Sequence, residues 1–235
     1  MQLFYSSNLN SSSTLYQFDK EESRHISKVL RKQIGDTLQL TDGVGNFYKA
    51  TINSNDPKRT VVTIEEIVEI QPLPYFLHMA VAPTKLNDRF EWFLEKATEI
   101  GIHKITPIIC DHSERKIIKP ERYEKIIHSA AKQSLKAHFP ILEPIRTFKE
   151  FITENHSEAL KCIAHCEDDI LRAPLSSLLE AKKSQLVMIG PEGDFSIPEI
   201  HLALENGFKS VSLGTSRLRT ETAAIVACHS VSFIQ

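Results

Sequence analysis

Along the first seventy residues apolar and polar positions alternate in short runs, and after that the rhythm changes. Thr37–Thr41, Asn46–Ile52 and Thr60–Ile70 carry a period of two, the pattern of strands with one buried face. Asp42-Gly43 and Asn55-Asp56-Pro57 supply turn chemistry between them. Ser23–Lys32 departs from the alternation: Ile26, Val29 and Leu30 share a helical face, which predicts one short helix. The result is a small β-rich unit close to the lower size limit of a self-sufficient domain. Gln71-Pro72-Leu73-Pro74 ends it and divides the chain into residues 1–71 and 72–235.

From Tyr75 onward strands alternate with helices. Phe76–Ala82, Ile105–Cys110, Lys161–His165, Leu186–Gly190 and Ser210–Gly214 are short apolar strands. Between and after them, Phe90, Phe93, Leu94, Ala97 and Ile100 fall at helical spacing before the stop signal of Gly101. Pro120–Leu135 reads as a helix with proline in its first turn, and Ile197–Asn206 and Thr222–Phe233 as two more. This alternation predicts an α/β fold with a parallel sheet covered on both faces. Ligands of such sheets bind beyond the carboxyl ends of the strands.

Two glycine-bearing loops lie at such ends: Ile-Gly-Pro-Glu-Gly-Asp-Phe-Ser at 189–196 and Leu-Gly-Thr-Ser-Arg-Leu-Arg-Thr-Glu-Thr-Ala at 213–223. Gly190, Gly193 and Gly214 let backbone approach a ligand without an intervening Cβ. Pro191 stiffens the first loop. Either loop alone is an ordinary strand-to-helix turn; the pair, in this order, reads as the two lips of one ligand site. A Gly-x-Gly-x-x-Gly fingerprint for dinucleotides is absent.

These loops resemble the signature of the SPOUT methyltransferases, and more narrowly the RsmE type, which methylates N3 of a uridine in 16S ribosomal RNA. His25–Arg31 is similar to that family's H-x-x-x-V-L-R stretch, Glu95–Ile102 to its E-K-A-T-E-L-G-V helix end, and Ser113-Glu114-Arg115 follows as in the family. Asp194 stands where the family has a second glycine. Lys136 and His138 stand at the two arginines of a Q-x-x-R-x-R-x-P pattern that here begins at Gln133 and ends at Pro140, and the basic N-terminal start is missing from Gln2–Asn8.

The resemblance implies a PUA-like β-barrel that helps to hold RNA, followed by a trefoil-knotted domain that binds S-adenosyl-L-methionine and pairs into a homodimer. It implies cofactor contacts from Ile189, Gly190, Glu192, Gly193, Leu213, Gly214, Leu218, Thr222 and Ala223. RNA contacts are expected from Arg24, His25, Lys28, Arg31, Lys85, Arg89, Arg115 and Lys136. N3 of uridine carries a proton at neutral pH, so the site must remove it or stabilise the anion left behind. Arg219 and Glu221 are the polar groups of the second loop suited to this: Arg219 as an anion stabiliser or phosphate clamp, Glu221 as a proton acceptor. Glu221 at the start of a helix is equally what the helix dipole favours.

Composition constrains the partners. The 235 residues carry a net charge of −2, with 41% hydrophobic and 25% charged side chains, ordinary values for a globular protein. Residues 103–146 nonetheless hold nine Lys/Arg against five Asp/Glu, and 147–208 hold five against eleven. A local basic region suffices to meet phosphates. Cys110, Cys162, Cys166 and Cys228 are scattered. Cys162 and Cys166, beside His165, have no second ligand pair nearby, so thiols buried in a reducing cytoplasm are expected and a metal is not. No apolar run approaches the roughly 20 residues that span a bilayer, and no signal segment opens the chain. Two other functions share these features: a relative acting on another RNA or base atom, and a non-catalytic RNA-binding assembly factor.

Overall fold

The computed structural model describes residues 2–235, and the chain packs as two compact units. One runs through Pro72 and takes in Ala131–Phe139; the other comprises Leu73–Ala130 and Pro140–Gln235. The helix that begins at Pro120 therefore ends inside the first unit, a division that strand and helix patterns do not announce.

The first unit contains β1 (Leu3–Tyr5), β2 (Leu15–Gln17), α1 (Lys20–Arg24), β3 (Thr37–Thr41), β4 (Asn46–Asp56) and β5 (Arg59–Glu69). The strands form one sheet in the order β1-β3-β4-β5-β2; β1 pairs parallel with β3 and the other pairs are antiparallel. The expected barrel is thus an open mixed sheet: among the described residues the three-residue edge strands β1 and β2 pair only inward, with β3 and β5. Phe4, Phe18, Ile26, Leu40, Tyr48 and Val62 fill its core. The turn after β3 is built on Asp42, whose carboxylate accepts hydrogen bonds from the Val44 and Asn46 backbone, the Asn46 side chain and the Tyr48 hydroxyl. Burial opposes its charge, yet these donors together hold its pKa below the usual value. The helix expected over 23–32 starts earlier. Asp19 caps it by accepting from the Glu22 N–H, and after Arg24 the backbone widens into a π-turn over His25–Val29.

The second unit contains β6 (Phe76–Val81), α2 (Asn87–Ile100), β7 (Lys104–Ile109), α3 (Pro120–Gln133, shared with the first unit), β8 (Ile141–Leu142), β9 (Arg146–Thr147), α4 (Phe148–Thr153), β10 (Leu160–Ala164), β11 (Ala173–Pro174), α5 (Leu175–Leu178), β12 (Ser184–Ile189), α6 (Ile197–Glu205), β13 (Lys209–Ser212) and α7 (Thr220–Phe233). Its sheet is parallel throughout, in the order β11-β13-β10-β12-β6-β7-β8, with β9 pairing β7. The strands alternate between two cores, as period two requires. Leu77, Met79 and Val81 of β6 and Val187 and Ile189 of β12 pack with Phe90, Phe93 and Leu94 of α2 and Ala224, Ala227 and Val231 of α7. Ala80, Leu186 and Met188 face the other way, onto Phe148 and Phe151 of α4 and Ile200 and Ala203 of α6. Gly101 closes α2 at φ +127°, a conformation that side-chain-bearing residues rarely adopt.

Strand order brings the site loops together. β12 enters between β10 and β6, so the loop after Ile189 emerges beside the loops after β6 and β10. None of the four cysteines forms a disulfide among the described residues; Cys110, Cys162 and Cys228 are buried, and burial pushes the Cys162 thiol up to about 12. Cys166, expected inside, is exposed because β10 ends at Ala164 and the chain has already turned outward. No helix among the described residues is long and apolar enough to cross a membrane.

Candidate active site

The first glycine loop, residues 190–196, is gripped from three directions. The Glu192 carboxylate accepts from the Lys85 backbone N–H at 3.0 Å, which ties it to the loop after β6. His112, in the loop after β7, points Nδ1 at the carbonyls of Gly193 (2.9 Å) and Asp194 (3.1 Å). Carbonyls only accept, so Nδ1 carries the proton. Asp194 adopts φ +64°, its Oδ1 accepts from the Phe195 N–H, and its Oδ2 accepts from the Cys166 N–H at 2.6 Å, reaching the loop after β10. The loop leads into α6 through a capping box of Ser196 and Glu199, and both residues also bond Asp111.

The glycines of this loop have protein neighbours. A Cβ on Gly190 would stand 3.1 Å from the Phe195 ring and backbone nitrogen; one on Gly193 would stand 3.0 Å from the His112 Cβ. Their first role is close packing, where the sequence suggests approach of a ligand.

The second loop, residues 213–219, contrasts with this. Gly214 takes φ +131° and a Cβ there would meet nothing within 4 Å. Leu213 and Leu218 are half-buried, Arg217 and Arg219 exposed. Arg219 supplies the backbone N-cap of α7, and its carbonyl accepts from the Ala223 N–H, while its guanidinium makes no hydrogen bond or ion pair with the described residues. Glu221, in the first turn of α7, is only 8% exposed. Its Oε1 lies 3.8 Å from Nε of Arg89 on α2, and its Oε2 is buried without a partner. A buried carboxylate oxygen with no donor costs free energy unless something supplies one. Thr222 and Ala223 are half-buried beside it.

The expected RNA-binding cations divide between the units. Arg24, Lys28 and Arg31 are exposed on the first unit, Arg31 at φ +54°. His25 there meets the Gln2 amide at 2.6 Å, and Lys136 is half-buried. On the second unit the three cations brace the loops: Arg115 donates from Nε to the Thr84 carbonyl and from Nη2 to that of Lys85, Lys85 pairs with Glu114 at 2.7 Å, and Arg89 faces Glu221. Sequence reasoning missed His112. Its position immediately before Ser113-Glu114-Arg115 was the available signal.

The match to known proteins covers both units. Residues 71–232 match a family model described as an RNA methyltransferase domain, and residues 18–65 one described as an RNA methyltransferase PUA domain. A ribosomal RNA small subunit methyltransferase E from Synechocystis is 32% identical over 86% of this chain and 68% of its own.

The chain belongs to the ribosomal RNA small subunit methyltransferase E family.

It is accordingly an RNA methyltransferase. The family member of Rickettsia conorii is 29% identical over 99% of this chain and 95% of its own. Among solved structures, a probable rRNA methyltransferase of Porphyromonas gingivalis is 41% identical, covers 100% of this chain and 98% of its own, and superposes with a TM-score of 0.93. The family member of Neisseria gonorrhoeae, solved bound to S-adenosyl methionine, is 28% identical over 97% of this chain and 95% of its own, with a TM-score of 0.85. The Asp194 carboxylate makes a link to Cys166 that a glycine at that position could not make.

Proposed function

We propose that this chain transfers a methyl group from S-adenosyl-L-methionine to N3 of a uridine in 16S ribosomal RNA of the small subunit. The observation that carries this reading is the second loop: open space beside Gly214, an uncommitted Arg219, and the orphaned Oε2 of Glu221. The Glu221 oxygen without a donor suits a group that gives up a proton, and the free Arg219 guanidinium suits the anion left behind. Backbone of 189–193 and 213–218, with Leu213 and Leu218 as apolar contacts and Thr222 and Ala223 at the helix start, would hold the cofactor. When bound, S-adenosylmethionine supplies an already electrophilic methyl group.

What remains for the protein is orientation, exclusion of water and disposal of the N3 proton. Arg219 stabilises the uridine anion, for which its free guanidinium is suited. Glu221, at the N-terminus of α7, accepts the proton directly or through water while Arg89 holds Oε1. Arg24, His25, Lys28, Arg31 and Lys136 of the first unit supply phosphate contacts, and Lys85, Arg89 and Arg115 serve the RNA chiefly by shaping the loops. The functional division is 1–71 for RNA holding and 72–235 for catalysis. The family's trefoil knot belongs to the same reading, supported by the insertion of β12 between β10 and β6. So does a homodimer, for which α2 and α7 leave Trp92 and Phe233 exposed. We place the enzyme in the cytoplasm, where the small subunit is.

The test is nucleoside mass spectrometry of 16S rRNA after incubating purified protein and cofactor with small subunits from cells lacking this gene. The expected product is 3-methyluridine. Another methylated nucleoside overturns the base assignment, and failure to bind S-adenosylmethionine overturns the enzyme reading in favour of an assembly factor.

A further inference from the structure

At the other end of the sheet from the glycine loops lies a cavity of about 160 Å³, lined by His78, Lys104, Thr106, Arg146, His156 and Glu158 among others. His78 sits on β6 and is 4% exposed, and the Glu158 side chain, just before β10, is 9% exposed. One donor atom from each of His78, His156 and Glu158 lies within 4.8 Å of the others. We propose that these three residues form a binding site for a divalent transition-metal ion of the zinc class, which pins the segment before β10 to the sheet.

Hydrogen bonds select the donor atoms. His156 Nε2 lies 2.7 Å from the Phe151 carbonyl, which can only accept, so Nε2 carries the proton and Nδ1 keeps its lone pair. His78 Nε2 lies 2.8 Å from Thr106 Oγ1, and its Nδ1 lies 3.0 Å from Glu158 Oε1. Both contacts close in either tautomer: Nδ1–H donates to Glu158 while Nε2 accepts from Thr106, or Nε2–H donates to Thr106 while the Nδ1 lone pair turns to Glu158, and the second is the one that a cation between His78 and Glu158 selects. A hydrogen bond from the far nitrogen of each imidazole to a protein oxygen is how ligating histidines are oriented. The His78–Glu158 distance is already close to the roughly 3.3 Å edge of a tetrahedral site with bonds near 2.0 Å. Aromatic contacts fix the rings: His156 lies tilted against Phe151 at 4.5 Å, and His78 meets the same ring edge-on at 5.6 Å.

The charges agree. Lys104 and Arg146 also line the cavity but are neutralised, Lys104 by Glu143 and Arg146 by Glu154, each at 3.2 Å. Glu158, paired with His78, is the carboxylate that faces the two imidazoles. Two histidines and one glutamate are a recognised zinc ligand set, and the cavity has room for water as the fourth ligand.

The test uses full-length protein stripped with a chelator and titrated with zinc chloride by calorimetry, then with cobalt(II) by absorption spectroscopy. Expected are one equivalent bound at micromolar affinity or tighter, an intense tetrahedral cobalt band, and a rise in melting temperature. His156→Ala and Glu158→Gln should each weaken binding by at least about tenfold, while circular dichroism reports whether the variants remain folded. No binding up to about 100 μM would overturn the site in favour of a His–Glu hydrogen bond alone, as would equal affinity in folded variants. Methyl transfer should proceed unchanged in the stripped protein, so the result stands apart from the catalytic reading.

Discussion

The two glycine loops look alike in sequence and differ in structure. In loop 190–196 nearly every polar group has a protein partner: Glu192 holds Lys85, Gly193 and Asp194 hold His112, and Asp194 holds Cys166. Its glycines are there for Phe195 and His112. In loop 213–219 the glycine faces open space, the arginine is uncommitted, and the carboxylate that follows has an oxygen without a donor. The first loop is a finished wall. The second has its binding groups still unspent, and unspent groups are where ligand free energy comes from. A glycine motif alone does not distinguish the two cases.

The contrast breaks most visibly at Arg219. Its loss should fall on the transition state. Arg219→Ala should lower the single-turnover rate by about 10²-fold or more at saturating cofactor and RNA, with melting temperature nearly unchanged. Arg219→Lys should recover only part of it, since a point charge cannot form a planar fork. A normal rate with weakened RNA affinity would make Arg219 a phosphate clamp.

Gly214→Val comes next. The side chain would project into open space from a backbone at φ +131° that valine resists, so calorimetry should show S-adenosylmethionine binding lost or weakened at least tenfold. Undiminished binding would remove the second loop from the cofactor site.

Gly193→Ala sharpens the comparison from the other side. Its Cβ would stand 3.0 Å from the Cβ of His112, and this exposed contact must give by a few tenths of an ångström. Denaturant unfolding should register only a small change, with a smaller effect on cofactor affinity than Gly214→Val. The reverse ranking would assign both loops the same role.

The smallest effect is a pH dependence at the wall. Burial lowers the pKa of His165, against the attraction of Asp194. The unfolded chain therefore binds the proton more readily, and the stability present above about pH 6.5 should be lost progressively as pH falls toward the folded value. Melting temperatures at pH 7.5 and 5.5 should differ more for the wild type than for His165→Gln.

RNA binding tests the first unit. Arg31→Ala should weaken it and reduce its salt dependence without affecting the cofactor. Arg115→Ala should cost stability as well, because its guanidinium holds the Thr84 and Lys85 carbonyls.

Much of this protein is local and could be read from the chain. The switch from period two to helical spacing near residue 75, the stop at Gly101, the parallel α/β alternation and the two loops at strand ends all follow from neighbours in sequence, because backbone geometry sets side-chain direction over a few residues. The tertiary structure alone decided the rest. It opened the expected barrel into a mixed sheet, moved 131–139 into the first unit, and turned Arg115 inward as a brace. It set His112 against Gly193, 81 positions later, and Asp194 against Cys166, 28 positions earlier. Those pairings depend on β12 entering between β10 and β6. Strand order is settled by packing the whole sheet between its two cores, and no short window of residues records it.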